Sequence, residues 1–315
     1  RAQQELTRTD TTTLITGWVP AHEAAGVGER LRKITRGRCA IEVTAPDDAA
    51  KEKVPTLLTH SGLLRPFGML MSSYGTPNYR ELEPTIFVAV SYVLMFGIMF
   101  GDWGHGATLA ALGMAALLKG KTVKARDIGV LLTACGLSSA VFGLIYGSFF
   151  GLEHFKRYAI WHDTLEGDPM GLMYGAIGVG VVMISLGLIL NAVNRFRRGD
   201  VIGGFLDKFG VAGILFYWGV LAMIIGRDAI SSRGLMGAAL VVFLVVPALC
   251  WIVKEPLEYF LHRSGDHGTL GIAVTESFVG AFEAFLSYLA NTISFVRLGA
   301  YAMSHAALLV AAFML

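Results

Sequence analysis

The chain has 315 residues, of which 54% are hydrophobic and 16% are charged, and its mean hydropathy is +0.57. This composition lies outside the range of soluble globular proteins and predicts a membrane protein. The net charge of +2 is too small to indicate nucleic acid as a partner, and the three cysteines show no CxxC or Cys/His spacing, so neither a disulfide framework nor a metal site is predicted.

The first 84 residues are polar and mixed in composition. The β-branched run at 11–19 predicts a strand, the stretch at 21–35 a short amphipathic helix, and the run at 39–44 a second strand. Prolines then recur in a linker that cannot form a long helix: Pro55, Pro66, Pro77 and Pro84. We therefore predict a partial cytoplasmic α/β domain with its linker at 1–84 and a transmembrane helical domain at 85–315.

The transmembrane domain contains seven apolar segments. They lie at 85–101, 104–118, 128–151, 171–193, 209–226, 234–253 and 271–315. The first two are short and meet at the sequence GDWGHG, so they predict a hairpin of two helices. The expected fold class is mainly α: a polytopic helical membrane domain behind part of an α/β domain.

Lysine and arginine in the short loops predict the orientation of the helices. The loops at 119–127 and 194–208 each carry four basic residues, so we expect both in the cytoplasm. The loop at 152–170 has two basic and four acidic residues, and alternation of the crossings also places it outside. The N-terminal domain and the 254–270 loop are then cytoplasmic, and the last helix runs outward.

Arg297 stands inside the last apolar segment, which is far longer than the ~20 residues that span a bilayer. An arginine at the bilayer centre costs about 2.5–3.5 kcal/mol on insertion scales. Such a residue either faces an ion path or is paired inside the bundle for packing, and the sequence leaves both alternatives open.

Polar residues flank Arg297 along the same helix. At 100° per residue, Glu283 lies about 40° and Ser304 about 20° from Arg297, so the three share a face, while His305 lies about 80° away. With a rise of ~1.5 Å per residue, Glu283 is about 21 Å toward the cytoplasm and His305 about 12 Å toward the outside. Titratable groups on both sides of a fixed positive charge suit a two-part proton path.

Asp102 and His105, at the turn between the first two segments, lie on the outer side by the same topology. They either contribute to the outer part of that path or form a capping pair that satisfies helix ends. The sequence AALLKGKT at 115–122 imitates the end of a P-loop, but it lacks the first glycine and follows an apolar helix. No nucleotide site and no cofactor is predicted.

Four segments resemble subunit I of bacterial and archaeal V/A-type ATPases, called subunit a in the eukaryotic vacuolar enzyme. They are LITGWVP at 14–20, RPFGMLMSSYGTPNYRELEPT at 65–85, MFGIMFGDWGHG at 95–106 and NTISFVRLGAYAMSHA at 291–306. The last two are the most specific. Between 107 and 270 the match is one of hydropathy and helix count.

The resemblance implies a function as the stator of a proton-translocating rotary ATPase. In that family the position of Arg297 is the essential charge that faces the carboxylates of a proteolipid ring. Positions matching Glu283 serve the cytoplasmic proton path, and those matching Asp102, His105 or His305 serve the outer one. The implied partners are the proteolipid c-ring, peripheral stalk subunits, the central stalk socket subunit and membrane lipid, in a prokaryotic plasma membrane.

The same family is expected to have eight membrane helices and a long cytoplasmic arm, so we expect this chain to be incomplete at both ends, with the eighth helix beyond Leu315. Two other classes of protein remain open. A secondary transporter or channel would favour inverted repeats, and the two halves show none. In a membrane scaffold, Arg297 would merely be paired. Both H⁺ and Na⁺ remain open as the ion, because selectivity in the family rests largely on the ring.

Overall fold

The computed structural model describes residues 7–8, 13–45, 54–60, 62–78, 81–151, 169–228, 234, 236–261 and 270–314. The chain divides into two compact units, one of Arg1–Leu58 with Thr76–Arg80 and one of Thr59–Gly75 with Glu81–Leu315. The described residues are mainly helical, as the sequence predicts. Most of the predicted outer loop at 152–170 lies outside the described residues.

The first unit contains a small hairpin and one helix. Strand β1 (Thr7–Arg8) pairs antiparallel with β2 (Thr13–Leu14), and α1 (Ala24–Ile34) lies within the predicted helix. The predicted strand at 39–44 is wrong, since these residues form neither strand nor helix. A strand needs a partner for its backbone groups, and the described residues offer this segment no sheet to join, since apolar Val43 there stays 71% exposed.

The second unit begins with α2 (Arg65–Ser72), which the sequence assigned to the linker. It packs on α3 (Thr85–Met99) and α5 (Val123–Tyr146). Phe67 on α2 enters a buried cluster with Ala89 and Val130 on these helices. This short segment therefore belongs to the helical unit, and Pro66 in its first turn is compatible with a helix start.

Helix α4 (Trp103–Lys119) packs along α5 through glycines. A Cβ added at Gly106 would clash with the backbone of Ala140, and one at Gly136 with the backbone of Ala110. Small residues let two helix backbones approach closely, and they are common at helix contacts in membranes. These glycines therefore set the spacing between α4 and α5.

The remaining helices enclose an aromatic core. In chain order they are α6 (Pro169–Arg198), α7 (Val201–Leu206), α8 (Val211–Ile225), α9 (Met236–Leu240), α10 (Val246–Leu261), α11 (Leu270–Ser294) and α12 (Val296–Met314). Side chains from α6, α8, α10 and α11 form the largest buried cluster: Leu188, Ala212, Phe216, Tyr217, Trp251, Ala284 and Tyr288.

A π-helical turn at Val241–Val245 connects α9 to α10. Pro247 lies just after this turn and is fully buried. Because proline has no N–H, it cannot donate to the carbonyl of Phe243 four residues earlier, and its ring would clash with that carbonyl. A locally wider turn relieves this clash without ending the helix.

Five spans within the described residues are long and apolar enough to cross a membrane: α5, α6, α7 with α8, α9 with α10 as far as Lys254, and α11 with α12. The seven predicted crossings are thus not all confirmed. The two that fall short are α3, with 15 residues, and α4, with 17. A perpendicular crossing needs about 20 residues. The predicted break between these two helices is present, and both pack against α5.

Charged side chains meet at one end of the helical unit. Asp207 is buried and pairs with Arg195 (Oδ2 to Nη2, 2.6 Å) and Lys254 (Oδ1 to Nζ, 2.8 Å). Each carboxylate oxygen of Asp207 thus contacts one cation, and these two ion pairs compensate for the cost of removing the carboxylate from water. The end of α6, the segment between α7 and α8, and the middle of α10 are thereby held together.

The segment before α3 joins the same end. Glu81 forms an ion pair with Arg198, and the backbone N–H of Leu82 donates to Oδ1 of Asn194 over 2.8 Å. The start of α3 therefore lies beside the end of α6. The opposite end of the unit holds the start of α4, the end of α5 and the part of α12 around His305.

Candidate functional site

Arg297 is the second residue of α12, directly after a break in the long predicted helix. Its side chain is exposed and its guanidinium donates a hydrogen bond to the hydroxyl of Ser294, the last residue of α11. No carboxylate pairs with Arg297 within the described part of the chain. The charge is therefore presented outward from the helix bundle.

The break between α11 and α12 is at Phe295. The N–H of Phe295 bonds the carbonyl of Thr292 over 3.3 Å, and the N–H of Leu298 bonds the carbonyl of Phe295 over 2.9 Å, which is the tighter spacing of a 3₁₀ turn. The Phe295 ring packs against Gly180 of α6, where a Cβ would clash with it. The sequence predicted one continuous helix here. The structure has two helices instead, and the contact of Phe295 with Gly180 on a distant helix lies at the break between them.

An exposed face runs along both helices on either side of the break. Glu283, Arg297 and Ser304 are all exposed, whereas Ala284 and Ala302 next to them in sequence are buried. The predicted shared face of the three polar residues assumed a continuous helix. Because the helix breaks at Phe295, angles counted at 100° per residue no longer apply across the break. All three side chains nevertheless point away from the core.

Glu283 pairs with a residue that the sequence did not single out. Lys208, between α7 and α8, places its Nζ 3.1 Å from Oε2 of Glu283. The backbone carbonyl of Lys208 accepts a hydrogen bond of 2.5 Å from the hydroxyl of Tyr288, one turn beyond Glu283 on α11. Glu283 is thus located at the charged end of the helical unit, on the same side of Arg297 as the basic loops.

Asp102 is fully buried in the turn between α3 and α4 and accepts five hydrogen bonds. Oδ1 accepts from the N–H of His105 (2.8 Å), from Nδ1 of His105 (3.0 Å) and from the N–H of Phe150 (3.2 Å). Oδ2 accepts from the hydroxyl of Ser148 (2.6 Å) and the N–H of Gly151 (3.3 Å). Asp102 therefore caps α4 and fixes the turn that follows α5.

Burial disfavours the charged form of Asp102, but the hydrogen bonds from His105, Ser148 and Phe150 outweigh it and hold the pKa of this carboxyl below its ordinary value. Asp102 is thus a carboxylate at neutral pH. It supplies a fixed negative charge next to the ring of His105.

His305 on α12 meets His105 at this turn. Their ring centroids are 5.7 Å apart, and Phe100 lies 4.2 Å from the His305 ring. One ligand atom each of Asp102, His105 and His305 lies within 4.8 Å of the other two. The absence of a metal site was inferred from spacing in the sequence, which cannot show that α12 returns to the start of α4.

The structure therefore groups the predicted site residues into two clusters separated by Arg297. Asp102, His105 and His305 are in direct contact at one end, and Glu283 lies at the other with Lys208. Ser304 is exposed and donates only to the carbonyl of Ala300 (2.8 Å) among the described residues. Lys208 and Ser148 were missed because neither stands near its partner in sequence.

A family model described as the V-type ATPase 116kDa subunit family matches residues 3–162. The A-type ATP synthase subunit I of Methanocaldococcus jannaschii is 26% identical over 94% of this chain and 45% of its own length. The V-type ATP synthase subunit I 2 of Treponema pallidum is 33% identical over 69% of this chain and 54% of its own length. This chain therefore spans about half the length of these curated relatives.

Proposed function

Because the chain belongs to the V-type ATPase 116 kDa subunit family, as a V/A-type ATPase subunit I, we propose that it is the membrane stator of a rotary ATPase. In this function it carries protons past a rotating proteolipid ring, and Arg297 is the essential stator charge. Its partners are the c-ring, peripheral stalk subunits, the central stalk socket subunit and lipid. It resides in a prokaryotic plasma membrane with its N-terminal domain in the cytoplasm.

The observation that supports this function most strongly is the exposure of Arg297. An arginine facing lipid at depth costs about 2.5–3.5 kcal/mol, and the described residues offer Arg297 a neutral hydroxyl rather than a carboxylate. Neighbours on the exposed face are apolar or aromatic, such as Ile293 at 57% and Tyr301 at 52% exposure. A carboxylate on an adjacent protein would compensate this charge, as a proteolipid ring provides.

The mechanism is electrostatic. A protonated ring carboxylate is neutral and can face lipid, but beside Arg297 its ionised form is favoured, and it releases its proton. Re-protonation on the other side of Arg297 lets the ring move on. The fixed positive charge also repels a proton that would otherwise cross directly, so transport stays coupled to rotation.

Two half-paths lead to Arg297 in this proposal. The cytoplasmic one includes Glu283, which Lys208 contacts at the charged end of the unit. The outer one includes His305 and His105, with Asp102 holding the His105 ring, and Ser304 lies between this cluster and Arg297. Titratable and polar groups in line with an intramembrane charge are typical of proton relays.

Disulfide crosslinking in the assembled ATPase tests which face meets the ring. In a complete subunit with Cys39, Cys135 and Cys250 replaced by alanine, Tyr301→Cys is expected to crosslink to a cysteine placed beside the ring carboxylate, because residue 301 is one turn from Arg297 on the exposed face. The yield is measured on non-reducing gels after mild oxidation.

The matched control is Ala302→Cys, which adds a cysteine one position further on the buried face, at 5% exposure. It should give no crosslink to the ring. Crosslinking through residue 302 but not 301 would exclude the proposed face, and failure of the subunit to co-purify with any proteolipid ring would exclude the stator function itself.

A further inference from the structure

The cluster of Asp102, His105 and His305 contains the donor set of a transition-metal site. We propose that these three side chains bind a divalent ion of the zinc class and that the bound ion closes the outer half-path. The binding itself is independent of transport, whereas the closing of the path rests on the proposed function. The three ligands come from the turn before α4, the first turn of α4 and the middle of α12.

The ligand chemistry fits zinc better than magnesium or calcium. Two imidazole nitrogens with one carboxylate oxygen suit zinc and its neighbours, while magnesium and calcium prefer oxygen ligands throughout. Adjacent ligand atoms on a tetrahedral zinc ion stand about 3.3 Å apart, given bonds of about 2.0–2.1 Å. Oδ1 of Asp102 and Nδ1 of His105 are already 3.0 Å apart. The ion can replace the proton that they share.

His305 completes the set. Its Nε2 is buried and has no hydrogen-bond partner among the described residues. A buried polar atom without a partner costs free energy, so a ligand that engages it is favoured. All three ligand atoms lie within 4.8 Å of one another, and rotation of the two imidazole rings would close the remaining gap to the spacing of about 3.3 Å that zinc requires.

The surroundings hold the ligands in place before an ion arrives. Asp102 is fixed by the Ser148 hydroxyl and by the N–H groups of Phe150 and Gly151. The rings of Phe150 and Phe100 pack on His105 and His305, with centroids 4.9 Å and 4.2 Å away. Outer partners of this kind orient metal ligands, and their loss typically weakens affinity by about 10–100-fold.

A bound ion would have a direct effect on proton transfer. It occupies the lone pairs of both imidazoles, which then can neither accept nor pass on a proton. It also adds positive charge in the outer half-path, where protons travel. Occupancy of the site should therefore stop transport while leaving the soluble sector and the cytoplasmic half-path unchanged.

Binding is tested on the purified complete ATPase after treatment with a chelator. Zinc titrated against a fluorescent indicator should reveal one bound equivalent in the wild type that is missing in His305→Ala and His305→Gln. At this site the zinc affinity of both variants should be reduced at least about 100-fold. Cobalt in place of zinc should give visible absorption bands that both variants lack. The glutamine variant covers the case in which alanine impairs assembly.

The matched control is His60→Ala. Nε2 of His60 is likewise buried without a partner among the described residues, but this imidazole has one carboxylate neighbour, Glu83, and no second histidine in its cluster. The control should retain the zinc equivalent and the cobalt bands. Equal binding in the wild type and both His305 variants would overturn the proposed site.

Transport is tested in vesicles with the soluble sector facing the bath. Zinc sealed in the lumen, at the outer face, should inhibit ATP-driven proton pumping by at least half in the wild type and in His60→Ala, and zinc in the bath should not. In His305→Gln, lumenal zinc should no longer reduce the pumping rate, measured as a fraction of the rate of the same variant without zinc. If the wild type binds the ion but pumps undiminished, metal binding stands, and the role of this cluster in the outer half-path is refuted.

Discussion

Asp102 shows how one buried carboxylate can organise a turn. Two oxygens satisfy three backbone N–H groups, one hydroxyl and one imidazole, so α4, the residues after α5 and His105 all depend on the same side chain. Hydrogen bonds to a charged acceptor contribute about 1.5–3 kcal/mol each. The sequence offered capping and proton relay as alternatives for Asp102, and the observed geometry is that of a cap.

Asp102→Asn is expected to destabilise the protein. An amide has only one acceptor oxygen, and its NH₂ group would face N–H and O–H donors that now bind the second carboxylate oxygen. We expect a loss of about 3 kcal/mol, against about 1.5 kcal/mol for Ser148→Ala, which removes one hydrogen bond. The measurements are the yield of assembled complex and its melting temperature in detergent. A normally stable Asp102→Asn complex with slow pumping would instead identify Asp102 as a proton carrier.

Glu283 is expected to matter for transport and hardly for stability. The Glu283 side chain is 67% exposed beside Lys208, and exposed ion pairs contribute about 0–1 kcal/mol. Glu283→Gln should therefore assemble normally, slow ATP-driven pumping and shift its dependence on cytoplasmic pH. The control is Glu276→Gln on the same helix, also exposed, which should pump as the wild type does. Equal pumping by both variants would remove Glu283 from the path.

Close packing between helices determines where a helix breaks and how near two helices lie, and hydropathy contains no information about either. The sequence predicts the apolar segments because a bilayer crossing is a matter of length and composition. It does not predict the break at Phe295, since phenylalanine is no helix breaker and the cause is a contact with Gly180 on a distant helix. The same applies to α4 and α5, whose glycines reveal their function only when the two helices lie side by side.

Gly136→Leu is expected to separate α4 from α5, because the added side chain would overlap the backbone of Ala110. Overpacking typically costs about 1–3 kcal/mol, and backbone contact puts this variant at the upper end. Gly187→Leu is the control, since nothing lies within 4 Å of the added Cβ. Thermal unfolding of the purified protein measures both. If Gly136→Leu and Gly187→Leu melted at the same temperature, α4 would be able to move away from α5 without a loss of stability.

Within the helical unit as a whole, polar groups gather at two opposite ends with Arg297 between them. The order of Glu283, Arg297 and His305 along the chain follows from the residue numbers alone. Their partners do not, because Lys208 meets Glu283, and His305 meets His105, through folding of distant segments. The prediction of a strand at 39–44 fails for a related reason: a strand needs a neighbouring sheet to receive it, and none reaches these residues within the described part of the chain.

In the proposed function, the charge of Arg297 couples proton transport to rotation. In the complete ATPase in vesicles, Arg297→Ala should abolish ATP-driven proton pumping, while assembly and ATP hydrolysis by the soluble sector persist. Arg297→Lys should restore little, because an ammonium is a more compact and more strongly hydrated charge. Arg126→Ala, which removes an exposed arginine that donates to the carbonyl of Gly120, is the matched control and should pump normally.

The decisive measurement is the initial rate of proton pumping by Arg297→Ala, with ATP hydrolysis recorded in the same vesicles. We expect a pumping rate indistinguishable from that of vesicles without ATP, beside hydrolysis that continues. A rate near that of the wild type and of Arg126→Ala would contradict the stator function of Arg297.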